Sequence, residues 1–162
     1  MAGPSDPYDR ASGLHVPPPL IFAAAVLAGW LLDRAIPGPR PDWLVSGPGA
    51  IAGASLVTAG GALAFAGVLN FWRAKTTILP FKTATRFVAT GPYRFTRNPM
   101  YVGLSTISIG VALLLRDLWT IPLVFVAAAV IDRFVIRGEE RHLEARFGDD
   151  FRDYKRRVRR WL

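Results

Sequence analysis

The residues best suited to chemistry lie in two places, the stretch TATRFVATGPYRFTRNPMYVG at residues 83 to 103 and the pair Glu139-Glu140. Asn98 is a favoured N-cap and Pro99 a favoured first helical residue, so the first stretch carries a basic loop into the start of a helix. The unpaired N–H groups and partial positive charge there suit the carboxylate of an amino-acid-like cofactor. Tyr93 and Tyr101 add rings that stack on, and hydroxyls that hydrogen-bond to, an adenosine. Neighbouring helical residues point about 100° apart, so Glu139 and Glu140 are expected to do different jobs. One suits an ammonium or ribose hydroxyls, the other an arginine.

Each of these residues also has a purely structural role open to it. Gly91-Pro92 turns the chain, Gly103 lets helices pack, and Arg94 and Arg97 anchor to lipid phosphates. The glutamates have Arg137, Arg141 and Arg146 within helical reach. Exposed pairs of that kind contribute only about 0.3–0.5 kcal/mol each, a weak reason for two adjacent carboxylates. Their position argues more, because they face the same compartment as a loop that has no acidic residue of its own.

The elements that must position these groups follow from the segregation of the sequence. Of 162 residues, 51% are apolar, and they gather into uncharged stretches, while the charges collect at roughly 73 to 97 and 132 to 160. A bilayer imposes that pattern, since a helix needs about 20 apolar residues to cross roughly 30 Å of hydrocarbon. The expected fold is all-α, a polytopic membrane bundle of about four transmembrane helices plus a C-terminal amphipathic helix. Residues 1–15 form a polar tail and 16–162 a single domain. Its spans are expected near 17–36, 44–71, 98–115 and 117–136, with a loop at 72–99 and the amphipathic helix at 137–160, Gly148 marking a candidate break within it. Only Arg116 and Asp117 separate the third and fourth spans, which forces an antiparallel hairpin. In the second span, Gly49 and Gly53, and Gly60 and Ala64, form small-residue stripes that admit a neighbouring helix.

Residues 73 to 97 contain six basic and no acidic residues, whereas the opposite connections balance Arg34, Arg40 and Arg116 against Asp33, Asp42 and Asp117. The basic loop is therefore expected in the cytoplasm, and with four crossings both termini as well. The net charge of +8 is accounted for by these juxtamembrane residues, so nucleic acid is not an expected partner. With no cysteine there is no disulfide, thiolate metal site or cysteine nucleophile, and no metal site is expected. The N-terminus lacks the basic region and short apolar stretch of a cleaved signal peptide.

Gly91-Pro92-Tyr93-Arg94-x-x-Arg97-Asn98-Pro99-Met100-Tyr101-x-Gly103 is followed, after two hydrophobic segments, by Glu139-Glu140-x-x-Leu143-x-x-x-Phe147-Gly148-x-x-Phe151-x-x-Tyr154-x-x-x-Val158. This arrangement resembles the isoprenylcysteine carboxyl methyltransferase and phospholipid methyltransferase superfamily of integral membrane methyltransferases, over roughly residues 70 to 162. The resemblance implies S-adenosylmethionine as cofactor, contacted by Thr85, Arg86, Phe87, Val88, Tyr93, Asn98, Pro99, Met100, Tyr101 and Glu139. The sequence departs from the pattern at Asn98, where many members have histidine, and at Phe151, where tyrosine is usual.

Methyl transfer from a sulfonium is an in-line displacement that positioning and desolvation can drive, and a base is needed only where the acceptor must first lose a proton. Arg133, Arg137 and Glu140 are the candidates for orienting the acceptor, and His142 reads as a surface helix residue. The expected partners are membrane lipid and a lipophilic or lipid-linked substrate. Carboxylate, amine and thiol acceptors all stay open. Two other readings are a membrane reductase using NADPH, since sterol-reductase-like proteins carry a related Arg-x-Pro-x-Tyr-x-Gly element, and a non-enzymatic subunit docking through its small-residue stripes.

Overall fold

The structure, a computed structural model, describes residues 16–73 and 88–162. Thr85, Arg86 and Phe87 lie outside them. The described residues form α1 (Pro18–Ala35), α2 (Asp42–Val45), α3 (Gly47–Arg73), a 3-10 turn (Gly91–Arg94), α4 (Pro99–Leu115), α5 (Thr120–Ile131), a π-helical turn (Asp132–Ile136) and α6 (Arg137–Arg157). The only extended pairing among them is a single parallel bridge between Thr96 and Arg159.

Helices α1 and α3, with 18 and 27 residues, are long and apolar enough to cross a membrane, and α4 is a shorter apolar helix. Large apolar side chains such as Leu20, Leu27, Leu31, Ile51, Phe65 and Phe125 lie exposed on α1, α3 and α5. That is the surface expected of helices solvated by lipid rather than water.

Glycines set the distance between α3 and α4. A Cβ on Gly60 would lie 2.7 Å from the carbonyl oxygen of Gly103, and one on Gly103 would lie 2.7 Å from that of Gly60. One turn-pair along, Gly53 and Gly110 make the same reciprocal approach, at 2.9 and 2.7 Å. The two backbones touch, so the small-residue stripe of α3 is filled by α4 of the same chain. The same device seats α1 on α5, where a Cβ on Gly29 would overlap Thr120 Oγ1.

The α4–α5 hairpin is closed by local bonds. Arg116 ends α4 in the left-handed region with φ 58°, and the Asp117 N–H returns to the carbonyl of Ala112. The carboxylate of buried Asp117 accepts from the N–H groups of Trp119 and Thr120, capping α5. At the far end, α5 runs through the π-turn into α6, where Gly148 makes the expected break with φ 54°. After Arg157 the chain is extended, and residues 158–162 fold back against the loop that precedes α4.

Candidate functional site

The loop before α4 is fixed from two sides. Asn70, in the last turn of α3, donates to the carbonyl of Thr90 and accepts from its hydroxyl. From the other side, the Tyr154 hydroxyl on α6 donates to the carbonyl of Tyr93 at 2.7 Å. Tyr93 itself is buried and meets Phe71 edge-on, with ring centroids 5.3 Å apart. Val88, at the edge of the described loop, is half-buried.

Asn98 stands directly before Pro99, as expected, but its side chain makes no capping bond to α4. Its amide instead donates to the carbonyl of Arg160 at 2.9 Å. The physical reason is the returning segment, which presents an unpaired backbone acceptor within reach of Asn98 and Thr96. Pro99 is buried, and Met100 packs over Gly67 of α3.

The two glutamates diverge. Glu139 Oε1 accepts from the Tyr101 hydroxyl at 3.1 Å. Part of the residue's surface stays open, but protein atoms enclose the carboxyl, and desolvation pushes its pKa up to about 7, against the lowering effect of the tyrosine bond. The nearby Glu140 charge pushes in the same upward direction. Glu140 accepts a two-pronged contact from Arg160, Nη2 to Oε2 at 2.7 Å and Nε to Oε1 at 3.1 Å. Arg97 Nη1 also lies 3.3 Å from Glu140 Oε1, without hydrogen-bond alignment. The helix-face arginines are not the partners that hold this carboxylate.

Three buried polar atoms have no hydrogen-bond partner among the described residues: the Tyr93 hydroxyl and Nε and Nη1 of Arg97. An unmet buried donor costs about 1–3 kcal/mol, more when charged, and for Arg97 the ion pair with Glu140 at 3.3 Å offsets part of that. Burial also holds the Tyr93 hydroxyl in its protonated, donating form. Arg97 was legible in the sequence only as a lipid anchor. Arg160, Asp132 and Thr96 were not singled out at all; Arg160 is one arginine in a basic run, and nothing in spacing separates it from Arg156, Arg157 or Arg159.

Arg133 and Arg137 are both exposed, and Arg137 pairs with Asp132 at 3.2 Å. They line the polar end of a cleft of about 600 Å³ whose walls include Val102, Ile109, Val124 and Ala128 of α4 and α5. They also line a second cavity, about 390 Å³, together with Glu140, Arg141 and Arg160.

The family model for phospholipid methyltransferases matches residues 49–150, which takes in α3, the loop, the α4–α5 hairpin and the glutamate pair. The chain belongs to the phospholipid methyltransferase family. An uncharacterised protein of Haemophilus influenzae is 42% identical over 65 residues, 39% of this chain and 100% of that one. Among solved structures, the eukaryotic intramembrane Ras methyltransferase, isoprenylcysteine carboxyl methyltransferase, superposes with a TM-score of 0.67 at 21% identity. The match covers 92% of this chain and 53% of that protein, so the family member described here spans about half its length. The likeness establishes the shared all-helical membrane fold.

Proposed function

We propose that this family member transfers a methyl group from S-adenosylmethionine to a lipophilic acceptor at the cytoplasmic membrane interface. The observation that carries the reading is the charge arrangement of the site. The site carries both signs that a zwitterion needs: buried donors without a hydrogen-bond partner on Tyr93 and Arg97, and the Tyr101–Glu139 carboxyl, whose charge acts on Tyr93. These residues fit the amino-acid portion of the cofactor. Arg97 and the Tyr93 hydroxyl would hold its carboxylate, beside the N-terminus of α4, and Glu139 its ammonium. Thr85 to Val88 would complete the nucleoside side, with Asn98, Pro99, Met100 and Tyr101 forming the wall at the helix start.

When bound, the cofactor supplies a methyl group already activated on a sulfonium. The chain's part is then to orient, to exclude water and to fix charge. Tyr101 holds the Glu139 carboxyl in one orientation, and Arg160 keeps Glu140 from competing for the same cation. The apolar cleft between α4 and α5, ending at Arg133 and Arg137, supports an acceptor with a long apolar part and a polar head, with Glu140 nearby on the basic side. Both charged blocks then face the cytoplasm, where a water-soluble cofactor and a lipid-soluble acceptor meet.

Purified protein in detergent is expected to bind S-adenosylmethionine saturably and to show no saturable binding of NADPH. Saturable NADPH binding without S-adenosylmethionine binding overturns the assignment in favour of a reductase. Incubation with methyl-labelled cofactor and fractionated membrane lipids then identifies the acceptor by the fraction that acquires label.

A further inference from the structure

Residues 158–162 run back against the loop before α4 as a strap, and one residue within it joins the entrance of α4, the start of α6 and the π-turn. The Arg160 carbonyl accepts from Asn98 Nδ2 at 2.9 Å and from Thr96 Oγ1 at 3.2 Å, at the entrance to α4. Its guanidinium grips both oxygens of Glu140, at the start of α6. Its remaining arm, Nη1, reaches both oxygens of Asp132 at 3.1 and 3.3 Å, where α5 passes into the π-turn. The neighbours reinforce this placement. The Arg97 N–H donates to the carbonyl of Arg159 at 2.9 Å, and the Trp161 indole donates to Asp132 Oδ1 at 3.3 Å while its ring packs against the core around Ile131 and Ile136.

We propose that Arg160 is a positioning residue for the cofactor site, tying the loop at 95–98 to Glu140 and Asp132 so that Arg97 and Glu139 face one ligand. This rests on the methyltransferase reading for the identity of that ligand, but the tie itself does not. Three features argue for positioning rather than general packing. The planar fork matches two carboxylates at once, which a lysine point charge cannot do. Arg160 makes the aligned bonds to both oxygens of Glu140, while Arg97 Nη1 stands 3.3 Å from Oε1 without alignment and its Nε and Nη1 lack a hydrogen-bond partner. The π-turn at Asp132–Ile136, gripped by Arg160 through Asp132, is an irregular helical segment of a kind frequent at functional sites.

The test compares the wild-type chain with Arg160→Gln in detergent by hydrogen exchange and by titration with S-adenosylmethionine. In Arg160→Gln, amides at 95–98 and in the π-turn are expected to lose protection while α1 and α3 keep theirs. Cofactor affinity should fall at least tenfold, and the pH at which affinity rises should move upward, because the Glu140 charge, left with Arg97 alone, opposes ionisation of Glu139 more strongly. Unchanged protection at 95–98, or unchanged affinity in a protein that does bind the cofactor, overturns the proposal. Loss spread evenly over every helix marks a merely structural residue and also overturns it. Local loss at 95–98 in a protein that binds no S-adenosylmethionine, wild type included, supports the strap and rejects the methyltransferase reading. Should Arg160→Gln fail to fold, Arg160→Lys, which keeps the charge but not the span, carries the same comparison.

Discussion

Glu139 is where sequence and environment combine most directly. Its carboxyl, enclosed by protein and bonded to Tyr101, titrates near neutrality instead of at the usual 4.5. Under the proposed function the ionised form pairs with the cofactor's ammonium, so affinity should rise about fivefold between pH 6 and 7, as the ionised fraction of a group with a pKa near 7 dictates while an α-ammonium stays protonated. Glu139→Gln should bind weakly at every pH, with no such rise. Titration calorimetry across that range decides it, and a pH-independent wild type sinks the role. The sign for stability is opposite. A folded pKa raised above the unfolded value means that the native state holds the proton more tightly, so the unliganded protein should lose stability as pH climbs from about 4.5 to about 7. Thermal melts of wild type and Glu139→Gln should converge toward acid and separate toward neutrality, the variant being the more stable. That the two glutamates serve different partners was legible from their adjacency; which partner each takes was not. Glu140 meets Arg160, twenty residues away, and no local spacing rule connects them.

At the scale of elements, the α3–α4 contact is the tightest constraint. Because the carbonyls of Gly60 and Gly103 already occupy the space a Cβ would need, Gly103→Ala must push the helices apart, at a cost of about 1–3 kcal/mol. Gly61, on the open side of α3, has nothing within 4 Å of its Cβ direction. Gly61→Ala should therefore be neutral or mildly stabilising, since alanine is the better helix former. Melting temperatures in one detergent provide the comparison, and equal behaviour of the two variants would contradict the packing. The stripes in α3 were readable as a docking face, but composition does not say for which helix. The spacing of seven between Gly53 and Gly60, repeated in Gly103 and Gly110, becomes meaningful only once α4 is seen running antiparallel beside them. The π-turn is similar: the sequence placed a boundary near residue 136, and packing of Ile131, Val135 and Ile136 into one core carries the helix through it.

For the whole molecule, charge distribution and helix placement bear on orientation. Two acidic residues of the other connections are satisfied locally, Asp33 by Arg40 and the Gly38 N–H, and Asp117 by N–H groups at the start of α5. The six cations between residues 73 and 97 have no acid in their own loop, which supports the proposed cytoplasmic placement. The absence of native cysteine makes this testable: Asp149→Cys in inverted vesicles should react with an impermeant maleimide, and Pro39→Cys only after the membrane is opened. Reversed labelling would invert the topology. Segregated apolar and basic stretches, the proline-led start of α4 and the adjacent glutamates are local patterns, and the sequence alone determined a helical membrane bundle. Tertiary structure alone decided which partners the polar groups would find. The fork of Arg160 on Glu140 and Asp132, and the bond from Asn98 to its carbonyl, join residues 20 to 62 positions apart. Such pairs depend on how the returning strap meets α4 and α6, and side-chain type and spacing carry no record of that meeting.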